Sequence, residues 1–146
     1  MTIAEVLSRH HRRFDELFAQ IDSEMGTGDR ASALYRLAHF RAELERHMQI
    51  EEKLLFPAFE KANEDTPSSF AEVRSEHVEL RELVDEIEHA IASGDGAAYE
   101  SAATALVILM GQHHHKEECA LYPMCNATLA AAQELADRIR RELGEP

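Results

Sequence analysis

Six residues of metal-ligand type interrupt apolar helical stripes in this chain, and they recur at one fixed offset. His11 and His77 stand 66 positions apart, as do His47 and His113, Glu51 and Glu117, and Pro57 and Pro123. The surrounding text agrees, since HMQIEEKLLFP at 47–57 lies over HHHKEECALYP at 113–123. A repeat of this length fits a helical hairpin. The chain therefore reads as two copies of one hairpin, about residues 2–62 and 68–128, with a helical extension over 129–143.

The helical reading rests on breaks and periodicity. MGTGD (25–29), NEDTPSS (63–69) and SGDG (93–96) divide the chain into four long segments, and nothing between them alternates with period two. Thr2 with Glu5, and Ser69 with Glu72, have the spacing of a capping box at a helix start. Spacings of three and four give Leu7, Phe14, Phe18, Ile21 and Met25 on the first stripe, with His11 in its gap. The second carries Leu37, Phe40, Leu44, Leu54 and Ala58 around His47 and Glu51. The third carries Val73, Leu80, Val84 and Ile87 around His77, and the fourth Ala103, Leu106, Met110, Ala120 and Met124 around His113 and Glu117. Four such stripes joined by short loops predict an all-α, up-down-up-down four-helix bundle forming a single domain over residues 1–146.

Charge narrows the function classes. A net charge of −13 repels phosphate backbones and anionic membrane surfaces, so neither nucleic acid nor membrane is expected as a partner. No apolar run reaches the roughly 18 residues of a membrane span. The start, MTIAEVLSRHHRRF, lacks the pattern of a secretory signal, and two cysteines are too few for a disulfide framework. A cytoplasmic protein is the expectation, with no protein partner indicated.

Four imidazoles and two carboxylates on apolar stripes demand an explanation, because an unpaired buried carboxylate costs several kcal/mol. No lysine or arginine shares these stripes, whereas divalent cations suit neutral histidine nitrogen and carboxylate oxygen alike. The i, i+4 spacing of His47–Glu51 and His113–Glu117 lets each pair reach one centre. Two-fold repetition suggests two metals that the glutamates could bridge, with iron, manganese or zinc suited to mixed nitrogen and oxygen ligands. Six protein ligands leave positions open for a small molecule.

The remaining candidates read as periphery. His10 is expected at a solvent-facing edge, replacing His11 only if the first helix is rotated, and His39 on a polar flank. The repeat makes His113 the inward member of its triplet. His114, His115, Glu118 and Cys119 are then expected on a solvated face, with a surface metal site at His115 and Cys119 as the sharper alternative, and Glu52 on the surface as well. Glu86 and His89 form a lone E-x-x-H pair off the stripes, which argues against a ferritin-like arrangement.

Taken together, RHHRRF, HMQIEEKLLFP, SEHVEL and HHHKEECALYP make the chain resemble the hemerythrin-like (HHE cation-binding) family over essentially its whole length. The resemblance implies a non-haem di-iron centre held by His11, His47, Glu51, His77, His113 and Glu117, with two bridging carboxylates and an oxo or hydroxo group. Relatives bind oxygen, sense oxygen or iron, or respond to nitric oxide and peroxide. Val73 stands where the oxygen carriers have a further histidine, and the last motif is H-x-x-x-E rather than H-x-x-x-x-D. Both departures point to the iron-cluster repair and nitric-oxide-responsive branch. The leading expectation is a di-iron protein that binds oxygen, nitric oxide or peroxide for sensing, scavenging or stress response. An enzyme reducing nitric oxide or decomposing peroxide, an iron donor or store, and a structural zinc bundle are the alternatives.

Overall fold

The computed structural model describes residues 1–63 and 70–145, and every regular element among them is helical. In chain order these are α1 (Ile3–Thr27), α2 (Arg30–Ile50), a π-helical turn (Glu51–Leu55), α3 (Phe56–Ala62), α4 (Phe70–Ser93), α5 (Gly96–Lys116), a second π-helical turn (Glu117–Leu121), α6 (Tyr122–Thr128) and α7 (Ala132–Glu142). α1 packs antiparallel on α2 and α4 on α5, while α2 also faces α4. The first helix starts on the anticipated capping box: Glu5 N–H donates to Thr2 Oγ1 at 3.1 Å, and Thr2 N–H to Glu5 Oε2 at 2.7 Å. The corresponding pair at Ser69 and Glu72 rests on a residue outside the described ones.

Both hairpin turns are built from the same two residues, 66 positions apart. Gly28 and Gly94 adopt φ of 81° and 73°, the left-handed conformation that closes a helix and that other residues reach only with strain. Asp29 and Asp95 follow and cap the next helix, each accepting a backbone N–H at 3.0 Å, from Ser32 and Ala98 respectively.

The two π-helical turns correct the expected register. The N–H of Phe56 bonds the carbonyl of Glu51, and that of Tyr122 bonds Glu117, five residues back rather than four. The next residue in each case is a proline, Pro57 or Pro123, which has no N–H with which to continue the ladder. One extra residue in the turn rotates everything beyond it. Leu55, Phe56 and Phe59 are therefore buried where Leu54 and Ala58 were expected, and Leu121, Tyr122 and Cys125 where Ala120 and Met124 were expected.

The core falls into two apolar clusters. One gathers Phe14, Phe18, Leu37, Phe40, Leu80, Val84, Leu106 and Met110 from α1, α2, α4 and α5. The other gathers Ile3, Leu7, Leu55, Phe56, Phe70, Leu121, Tyr122 and Cys125 with Ala136 and Ile139 of α7, which packs across α1 and α6. His11, His47, Glu51, His77, His113 and Glu117 are buried on the same helices, at sequence positions between those of the two clusters. No helix among the described residues is long and apolar enough to cross a membrane.

Candidate metal centre

Each half of the bundle carries a histidine in the last turn of its second long helix and opens its π-helical turn on a glutamate. His47 Nε2 lies 3.4 Å from Glu51 Oε1, and His113 Nε2 lies 3.4 Å from Glu117 Oε1. The histidines of α1 and α4 cross over to the opposite hairpin: His11 Nε2 is 3.2 Å from Glu117 Oε1, and His77 Nε2 is 3.2 Å from Glu51 Oε1. Glu51, His77, His113 and Glu117 offer ligand atoms all within 4.8 Å of one another, and so do His11, His114 and Glu117. Glu117 belongs to both groups. The six residues expected from the sequence thus meet in one buried place.

The donor set fits cations. Glu51 Oε1, His77 Nε2 and both carboxylate oxygens of Glu117 are buried without a hydrogen-bond partner. Unsatisfied buried acceptors of this kind are costly unless a positive charge meets them. The electrostatics of the bare site show the same frustration. Burial, then the neighbouring charge of Glu51, pushes the Glu117 carboxyl well above the usual range. Burial alone would raise Glu51 too, but His47, Glu117 and His77 around it hold it well below. Burial drives His47 down to about 3 and pushes His11 well below the ordinary histidine value. It also pulls His77 down, but the carboxylates of Glu51 and Glu52 on either side outweigh it and raise that group. Metal binding requires neutral imidazoles and ionised carboxylates, so an entering cation would displace the protons that the bare site favours on His77 and Glu117.

Outer carboxylates fix the direction of the rings. His77 Nδ1–H donates to Glu52 Oε2 at 2.6 Å, and Arg81 donates to the other oxygen of Glu52 at 3.2 Å. His113 Nδ1–H donates to Glu76 Oε1 at 3.0 Å, and Lys116 Nζ donates to Glu76 Oε2 at 2.9 Å. On His47 the same role falls to a relay. Its Nδ1 meets His10 Nδ1 at 3.0 Å, His10 Nε2 reaches Glu43 Oε2 at 3.3 Å, and Arg13 donates to Glu43 at 3.0 Å. His11 Nδ1 has only Glu118 Oε1, 3.7 Å away. Such bonds pin the tautomer and turn each Nε2 lone pair inward.

Several expectations change here. His10 is not at a solvent-facing edge but 4% exposed, because the inner side of α1 is wide enough to take both it and His11. His114 is 6% exposed rather than solvated, its ring stacked on that of His11 at 3.6 Å and 7°. Face-to-face stacking holds the two rings side by side, while a His114 nitrogen stays within 4.8 Å of ligand atoms of His11 and Glu117. His114 therefore braces the His11 ring. Glu52 and Glu118 are half-buried and turned toward His77 and His11, not toward solvent. His39, His89, His115 and Cys119 are exposed as expected, with Cys119 Sγ 3.6 Å from His115 Nδ1.

Tyr122 is the residue the sequence reading missed. Its hydroxyl donates to Glu51 Oε2 at 2.7 Å and stands 3.0 Å from His11 Nε2 and 3.4 Å from His47 Nε2. Burial, with Glu117 and Glu51 nearby, pushes its phenol well above the ordinary value. The available signal was the repeat itself, in which Tyr122 stands opposite Phe56. The family model described as Hemerythrin HHE cation binding domain matches residues 2–125. No curated protein and no solved structure matches the chain.

Proposed function

The chain belongs to the hemerythrin HHE cation-binding family, and from that premise we propose a non-haem di-iron protein that binds oxygen, nitric oxide or peroxide for sensing, scavenging or stress response. In this reading His11 and His47 hold one iron and His77 and His113 the other. Glu51 and Glu117 bridge them together with an oxo or hydroxo group. The observation that carries it is the burial of four histidines around two carboxylates, His47 and His77 at Glu51 and His11 and His113 at Glu117, the arrangement a carboxylate-bridged metal pair needs. An iron pair supplies one-electron redox change and positions for a small ligand, while the outer residues keep the imidazoles neutral and aimed. Complete burial of both bridging candidates argues against ready release of the metal, and so against the donor reading. A closed four-ligand zinc site fits poorly, because donors in two linked groups exceed what one tetrahedral ion takes.

Elemental analysis of protein purified without air or added metal tests this. Close to two irons per chain is expected, with visible spectral change on adding oxygen or nitric oxide. His47→Ala and His113→Ala are each expected to lose metal. One zinc per chain, or no iron after reconstitution, would overturn the proposal.

A further inference from the structure

We propose that Tyr122 is a protein ligand to the metal held by His11 and His47, so that the two metal positions are chemically unequal. The inference rests on the di-iron reading and deepens it. The argument begins with distances between donor atoms. Around an octahedral ion with bonds of about 2.1 Å, neighbouring ligand atoms are separated by about 3.0 Å. His11 Nε2 and His47 Nε2 are 3.2 Å apart, and the Tyr122 hydroxyl lies 3.0 and 3.4 Å from them. The same hydroxyl is 2.7 Å from Glu51 Oε2, and His11 Nε2 is 3.2 Å from Glu117 Oε1. These are the edges of one coordination polyhedron, with the phenol oxygen at a vertex.

The backbone explains why the ring points there. The π-helical turn Glu117–Leu121 delivers Tyr122 to the interior as the first residue of α6. Its counterpart Phe56 is equally buried after the equivalent turn, but it stacks on Phe70 at 4.3 Å and has no donor atom to offer. One metal position therefore has five protein residues, namely His11, His47, Tyr122, Glu51 and Glu117. The other has four, His77, His113, Glu51 and Glu117. A single-atom bridge completes six ligands at the first position and leaves one vacancy at the second. The small ligand accordingly enters beside His77 and His113. The phenol proton leaves to solvent as ferric iron binds.

The test is resonance Raman and visible spectroscopy of the diferric protein, beside iron content. The expected result is a visible phenolate-to-iron charge-transfer band whose excitation enhances tyrosine ring vibrations. Those vibrations should shift when the protein is grown on ring-deuterated tyrosine. Tyr122→Phe should retain two irons and lose the band, whereas Tyr35→Phe and Tyr99→Phe should keep it. Two ferric irons without phenolate vibrations would overturn the ligand role and leave Tyr122 as a hydrogen-bond donor to Glu51, with the di-iron reading intact. A band that survives Tyr122→Phe would overturn it equally. Failure to take up paired iron would instead sink the di-iron reading, and this inference with it. If Tyr122→Phe does not fold, the isotope shift in the parent protein, with the two other tyrosines replaced, decides alone.

Discussion

At the scale of single residues, the centre is a place where burial works against charge. His47 and His114 are driven down to about 3 and about 2, first by burial. His10, His11 and His113 move in the same direction. A group whose folded value is depressed in this way takes up its proton only in the unfolded chain, so stability of the metal-free protein falls as pH drops below about 6.5. His77 and Glu117 are raised and act in the opposite sense, so five groups oppose two. Each strongly depressed histidine accounts for about 2 kcal/mol between pH 6.5 and pH 5. Urea unfolding of chelator-treated protein should show a net loss over that interval, and His114→Phe should reduce the loss by about 2 kcal/mol. An unchanged slope in the variant would mean that His114 is not held neutral by burial. Residues of this kind were only partly legible in the sequence. The six inward ligand candidates stood out because they break apolar stripes at a repeated offset. His10 and His114 did not, because each sits next to an inward histidine, and sequence alone does not say how wide a helix face is buried where helices cross.

At the scale of elements, helix ends were legible and the interior irregularities were not. The breaks expected at MGTGD and SGDG fall at helix ends, where the structure closes one helix on a left-handed glycine and caps the next with an aspartate. Asp95→Ala should cost about 1 kcal/mol of stability, since it leaves the Ala98 N–H without its acceptor. Thermal unfolding measured on the metal-free protein checks this, and Asp95→Asn, which keeps an acceptor oxygen for the Ala98 N–H, should escape most of the loss. The π-helical turns are different. They add one residue per turn without changing composition, so a count by threes and fours runs straight through them and lands on Ala120 instead of Leu121. Only the prolines six positions beyond Glu51 and Glu117 mark where the ladder changes step. Such turns are frequent at functional sites because they re-aim side chains without ending the helix. Here the turn beyond Glu117 is what brings Tyr122 inward.

At the scale of the whole molecule, the bundle was legible from its four stripes, and the repeat carried the symmetry of the centre. What the repeat did not convey was the crossing of partners. Glu51 Oε1 is approached by His47 from its own hairpin and by His77 from the other, and Glu117 Oε1 by His113 and His11 in the same way. Neither hairpin alone supplies both histidines that flank either carboxylate. Cut between residues 63 and 70, the protein should therefore become two components that metal joins. Separately purified halves should co-elute when ferrous iron is supplied without air and part again on chelation. Co-elution that ignores the metal would mean that apolar contacts alone join them. The mismatches between the halves, His10 against Glu76, Met48 against His114 and Phe56 against Tyr122, all fall around the buried histidines and glutamates, so the repeat is least exact where its chemistry sits.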